Sequence, residues 1–170
     1  MELLKNKGIL TVGLLVIALV GFFLFKNTTS ENTKEPSTNN QAAATTGYFG
    51  KTIAGSISPF LEFNKADFEK AKEEQKIIFL DFYANWCPVC RAEAPVIHSG
   101  FDMFESEKIV GFRVNFNDDQ TDQDEKDLAK EFNVPYQYTK IIIKDGKEIL
   151  RSGERWEKAD FDEAFSKALQ

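Results

Sequence analysis

Apolar residues fall along this chain in three regimes. Gly8–Phe25 (GILTVGLLVIALVGFFLF) carries no charge and no proline over eighteen residues. As a helix it would span about 27 Å at ~1.5 Å per residue, close to the ~30 Å hydrocarbon core of a bilayer. Lys5 and Lys7 precede it and Lys26 follows, which favours residues 1–7 as a cytoplasmic tip with the rest outside. A cleaved signal would want a shorter core and a small-x-small cleavage site. Phe22, Phe23, Phe25 and Lys26 occupy that place, and Ala42–Ala44 come too late. A buried core helix would show a polar stripe, and none is visible. Residues 8–25 therefore read as an uncleaved transmembrane signal-anchor, with secretion as the outcome if cleavage did occur. Residues 26–56 are rich in Thr, Ser, Asn, Gln and Ala and nearly empty of large apolar residues before Tyr48. They read as a flexible tether, since such a stretch buries too little surface to offset its ordering entropy.

From residue 57 onward the pattern alternates. Ile57–Phe63 predicts a short strand, followed by a helix over Ala66–Glu74 capped by Asn64 or Asp67. Lys76–Tyr83 (KIIFLDFY) is a near-continuous apolar run, as expected of a strand covered on both faces. A helix follows Cys87 and runs to about Phe104. Lys108–Phe116 predicts another strand. A helix capped by Thr121 or Asp122 comes next and ends near Phe132. Thr139–Lys144 and Lys147–Arg151 flank Asp145-Gly146, a strong two-residue hairpin signal. Phe161, Ala164, Phe165, Ala168 and Leu169 lie at helical spacing in Lys158–Leu169. The order β-α-β-α-β-α-β-β-α implies an α/β domain, with a mixed central sheet and helices on both faces.

Composition narrows the chemistry. The 170 residues are 42% hydrophobic and 28% charged with 16 Phe, as in a globular domain. Net charge is −6, and residues 57–170 alone carry −8. That argues against nucleic acid, which calls for a basic face, and against adhesion to an anionic membrane surface. Two cysteines and one histidine, His98, offer three Cys/His metal ligands at most, so no metal site is expected.

Both cysteines stand where the strongest strand hands over to a helix, in Asp81-Phe82-Tyr83-Ala84-Asn85-Trp86-Cys87-Pro88-Val89-Cys90. At a helix N-terminus the Cys87 sulfur faces unpaired N–H groups and the positive end of the dipole, which favour a nucleophilic thiolate. Pro88 suits the first turn, where its missing N–H costs nothing. Cys90 lies one turn on, on the same face, within reach of a small-ring disulfide that opens readily. Half a zinc site would lack its second ligand pair, and an inert bridge closing so short a loop gains little. The expected roles are an exposed attacking Cys87 and a buried Cys90 that resolves the mixed disulfide.

These residues, with Pro95 further along the helix, resemble the thioredoxin family over residues 57–170. The resemblance implies a thioredoxin fold and thiol–disulfide exchange with protein substrates through a redox-active Cys87–Cys90 disulfide, without organic cofactor or metal. It implies that Asp81 lies buried beneath Cys90 and handles its proton. A desolvated carboxylate can do so because burial raises its pKa. It implies that Arg113 lies near that acid and that Trp86 stands beside the nucleophile, shielding it and contacting substrate. Pro95 should kink its helix.

One departure is visible. The family carries a cis-proline facing the cysteines, just before the strand that ends in the Asp-Gly turn. Counting back from Asp145-Gly146 without a gap, Tyr138 falls on that position, and Pro135 lies three residues upstream. Tyr138 is the better fit, with a trans Gln137–Tyr138 bond because a non-proline cis bond costs ~3 kcal/mol. Gln137, Tyr138 and Thr139 then form a substrate ledge of altered shape, with a phenol near the thiols. The expected protein is a membrane-tethered, extracytoplasmic oxidoreductase acting on protein thiols or disulfides, with a membrane electron donor or acceptor and no nucleic-acid partner. Its redox direction is open, with disulfide formation or isomerisation favoured by the Pro-Val pair. A thioredoxin-fold binding module with an idle CxxC is the alternative.

Overall fold

The structure is a computed structural model and describes residues 47–170. The anchor expected at residues 8–25 and most of the tether lie outside the described residues. Among those described, no helix is long and apolar enough to cross a membrane.

Strand β3 (Ile77–Tyr83) is the centre of the domain, buried along its length except for Tyr83. It pairs in parallel with β4 (Ile109–Asn115) and antiparallel with β5 (Thr139–Lys144). Outward from these lie β1 (Thr52–Ala54), β2 (Phe60–Glu62) and β6 (Lys147–Ser152), in the order β1-β2-β4-β3-β5-β6. Alternate side chains of β3 point to opposite faces. Ile78, Leu80 and Phe82 join one core with Phe68 of helix α1 (Lys65–Glu73) and Leu128 of helix α3 (Gln123–Glu131). Ile77 and Phe79 join a second core with Ile97 and Phe101 of helix α2 (Pro88–Met103) and Phe161 and Phe165 of helix α4 (Lys158–Ala168). Asp81 shares the parity of Ile77 and Phe79, so its carboxylate belongs to the α2 side of the sheet.

Local chemistry sets the helix starts. Asn64 caps α1 by accepting from the N–H groups of Ala66 and Asp67. Asp122, of the two candidates, caps α3 in a reciprocal capping box with Glu125. Asp145 (φ 52°) and Gly146 (φ 69°) make the two-residue hairpin turn in the left-handed pair of conformations its twist demands.

The end of the expected tether needs correction. Thr52–Ala54 is not linker but edge strand β1, antiparallel to β2. The reason lies in Asp67, which is fully buried and caps nothing. Its carboxylate accepts from the N–H groups of Phe49 and Gly50 and binds that segment to α1. Tyr48 adds its ring to the core, with Lys70 Nζ 4.4 Å from the ring centroid. Gly50 allows the close approach, because a Cβ there would lie 2.3 Å from the carbonyl oxygen of Glu62.

Candidate functional site

At the carboxyl end of β3 the chain turns through Ala84–Trp86 into α2, and Cys87 is the N-cap of that helix. Its Sγ accepts the backbone N–H of Cys90 at 3.2 Å, taking up one of the unpaired donors of the helix start. Pro88 occupies the first turn, and the helix continues through Pro95 to Met103. Both cysteines are free thiols. The loop before them is tied to the loop after β4: Asp118 accepts from the N–H of Asn85 at 2.9 Å, and Trp86 Nε1 donates to the carbonyl of Asn117 at 3.0 Å. Trp86 is half exposed beside the sulfurs, with Val89 and Tyr136 also open to solvent.

Exposure of Cys87 is the expectation the structure corrects. Cys87 is 2% exposed and Cys90 3%. Tyr83 and Tyr138 pack against the small cluster they form with Ala84 and cover it.

Gln137, Tyr138 and Thr139 lead into β5. Tyr138 donates its N–H to the carbonyl of Phe82 at 2.6 Å, and Thr139 Oγ1 donates to the carbonyl of Tyr136 at 2.8 Å. Gln137 is half-buried beside them, whereas Pro135 is exposed. All peptide bonds of the described residues are trans. Tyr138 takes the place facing the cysteines in a left-handed conformation, φ 54°. Proline, fixed near −65°, cannot adopt it, so the substitution reshapes the backbone as well as the side chain. Holding a tyrosine there costs on the order of 1–3 kcal/mol, met by surrounding contacts such as the tilted packing of Tyr136 against Tyr138 (centroids 5.3 Å apart, planes 37° apart).

Asp81 is 5% exposed, and burial pushes its pKa from an ordinary 3.8 to about 7. The Glu93 carboxylate adds to the rise, while Lys140 and then Arg113 oppose it. Burial likewise raises the Cys90 thiol to about 12, helped by its bond to Cys87. Asp81 and Arg113 are direct neighbours across β3 and β4. The guanidinium is engaged elsewhere, on Glu62 at 3.1 Å, and lies 5.2 Å from the Tyr83 ring centroid. Arg113 thus acts on Asp81 as a nearby charge rather than as a bonded partner.

Sequence reasoning missed Lys140 and Glu93. Lys140 faces Asp81 across β3 and β5 and is fully buried, with Nζ 2.7 Å from Glu93 Oε1. The signals were present: a lysine at an inward position of an apolar strand, and a glutamate three residues past Cys90 on the same helix face. Among the described residues no group of three or more His, Cys, Asp or Glu is placed to hold a metal.

The sequence model of the thioredoxin family matches residues 59–167. The chain belongs to the thioredoxin family. It is 33% identical to Thioredoxin-2 of Pyricularia oryzae over 67% of this chain and 61% of that one. It is 40% identical to Thioredoxin H2 of Arabidopsis thaliana over 49% of this chain and 57% of that protein. The chain thus spans about three fifths of the length of these curated relatives. Among solved structures, Trxlp of Edwardsiella tarda superposes with a TM-score of 0.51 at 29% identity, covering 59% of this chain and 93% of that one. The thioredoxin NaTrxh of Nicotiana alata gives 0.51 at 26% identity, covering 70% and 98%. The mixed sheet with helices on both faces is the thioredoxin fold.

Proposed function

We propose that this chain is a membrane-tethered thiol–disulfide oxidoreductase of extracytoplasmic proteins, working through Cys87 and Cys90 without organic cofactor or metal. The observation that carries the chemistry is the Cys87 sulfur at the N-cap of α2, hydrogen-bonded by the Cys90 amide, with Asp81 buried in the strand beneath. In the reducing direction, the Cys87 thiolate attacks one sulfur of a substrate disulfide. A Cys87–substrate bond forms and the other substrate sulfur leaves as thiolate. Asp81 takes the proton of Cys90. The Cys90 sulfur attacks Cys87, closing the Cys87–Cys90 disulfide and releasing the second substrate thiolate, which takes up a proton. Two electrons pass from the dithiol to the substrate, and oxidation of a substrate dithiol runs the same steps backwards.

Trp86, Val89 and Tyr136 offer an apolar rim for an unfolded segment beside the buried sulfurs. The apolar run at residues 8–25 supports the membrane tether, which would bring a membrane electron donor or acceptor within reach, and the charge of −8 over residues 57–170 disfavours nucleic acid. The test is turnover by the full chain, reducing a protein disulfide or oxidising a reduced protein, with the potential of the pair giving the direction. A value near about −270 mV marks a reductant and one near about −120 mV an oxidant. Turnover is expected in at least one direction. The burial of both thiols under Tyr138 favours one second reading, a binding module with an idle CxxC. Binding of unfolded protein without turnover establishes that reading instead.

A further inference from the structure

Charge reaches Asp81 from three elements, and the Nε of one of these groups, Arg113, is buried without a hydrogen-bond partner. Asp81 is met by Lys140 from β5, Arg113 from β4, and Glu93 and Cys90 from α2. Arg113 is committed to Glu62. Lys140 and Glu93 are committed to each other, 0% and 1% exposed. Lys140 Nζ also donates to the carbonyl of Glu154 at 2.6 Å, and Glu93 Oε1 accepts the N–H of Trp156. Neither side chain can be expelled to water without dismantling the junction of α2, β5 and the segment before α4. Burying two ions is expensive, and it is offset here by the contact between them and by their bonds to the Glu154 carbonyl and the Trp156 N–H. Both charges also lie on the side of the sheet that carries Asp81, with Lys140 directly opposite it across β3 and β5.

We propose that the buried Lys140–Glu93 pair positions and balances the charge around Asp81 and so sets how readily this carboxyl exchanges a proton with Cys90. The two members act in opposite senses. Glu93 holds the proton on Asp81, and Lys140 favours its release. Together they let Asp81 give up its proton before the thiol attack and accept the Cys90 proton during it. Loss of either partner displaces that balance in a predictable direction. Neither residue touches substrate or the reacting sulfurs; both act through Asp81. This deepens the oxidoreductase reading and rests on it for its consequence, while its test does not depend on turnover.

The experiment is a carbon-13 titration of the Asp81 carboxyl in the reduced full chain, across pH, for four variants and the parent. In Glu93→Gln, which keeps a carbonyl oxygen for Lys140 and Trp156, the Asp81 midpoint is expected to fall, by roughly tenfold in proton concentration. In Lys140→Met it is expected to rise by a similar factor. Lys140→Arg restores the parent value, and the doubly substituted Glu93→Gln/Lys140→Met protein falls between the single variants. A junction that serves only as a strut moves both midpoints in one direction or neither, and either result overturns the proposal. Should Lys140→Met fail to fold, Glu93→Gln decides alone: a lowered midpoint supports the proposal, and an unchanged or raised one overturns it. Opposed shifts in a chain without turnover would sink the enzymatic reading and leave the electrostatic assignment standing.

Discussion

Asp81→Asn is expected to make the protein more stable at pH 8, by about 2–4 kcal/mol, with the gain gone by pH 4. The sign follows from linkage. The native chain holds a proton on Asp81 up to about pH 7, whereas the unfolded chain releases it near 3.8. Between those values the folded state binds more protons, so stability falls as pH rises through the window. A span of that width corresponds to about 4 kcal/mol at most, since one pKa unit is ~1.36 kcal/mol. Asparagine carries no charge to desolvate and escapes the cost. Denaturant unfolding of parent and variant at pH 4, 6 and 8 checks it. A gap independent of pH, or a parent more stable at pH 8, contradicts the buried-carboxylate account. The same substitution removes the proton acceptor for Cys90 and should slow closure of the Cys87–Cys90 disulfide by roughly 10²-fold. Stability and activity then move in opposite directions at one residue.

Phe101→Ala is expected to cost about 3–5 kcal/mol. Phe101 is 1% exposed and stands in α2 at the centre of an aromatic cluster. It stacks on Phe60 with centroids 4.9 Å apart and meets Phe79 at 5.7 Å, Phe161 at 5.4 Å and Phe165 at 5.5 Å. Gly111 of β4 leaves room for it, because a Cβ there would lie 2.5 Å from Phe101 Cζ. Truncation opens a cavity lined by rigid rings on the sheet and on α4, which cannot collapse into it. The loss should appear as a lower denaturation midpoint at unchanged slope. A change below about 1 kcal/mol would mean that the rings repack and that the cluster is not the keystone of this face.

These consequences were legible in the sequence to different degrees. The run KIIFLDFY and the helix after Cys87 read correctly because burial on both faces and a cap-and-proline start are local patterns. Strand β1 did not. Thr52–Ala54 is three residues long, and what holds its neighbourhood is a buried Asp67 seventeen and eighteen residues away in the chain. Asp67 looked like a helix cap because its fit to that role is local and its actual partners are not. The Lys140–Glu93 pair was invisible for the same reason, joining positions 47 residues apart across sheet and helix. Cys87 read as exposed because helix N-termini usually are. Its cover, Tyr138, depends on a left-handed backbone that a tyrosine does not advertise. Tyr138 itself was placed by counting back from the Asp-Gly turn, where register in a hairpin is rigid enough to carry the inference.

The measurement that bears most directly on the whole account is covalent trapping with Cys90→Ser in the full chain, offered a protein disulfide and analysed by mass spectrometry. A Cys87 that attacks and a Cys90 that resolves require the adduct to accumulate on Cys87 in this variant, to be absent from Cys87→Ser, and to be transient in the parent. An adduct forming equally well on Cys90 when Cys87 is serine, or none on either sulfur, would contradict the assignment of attack to the helix N-cap.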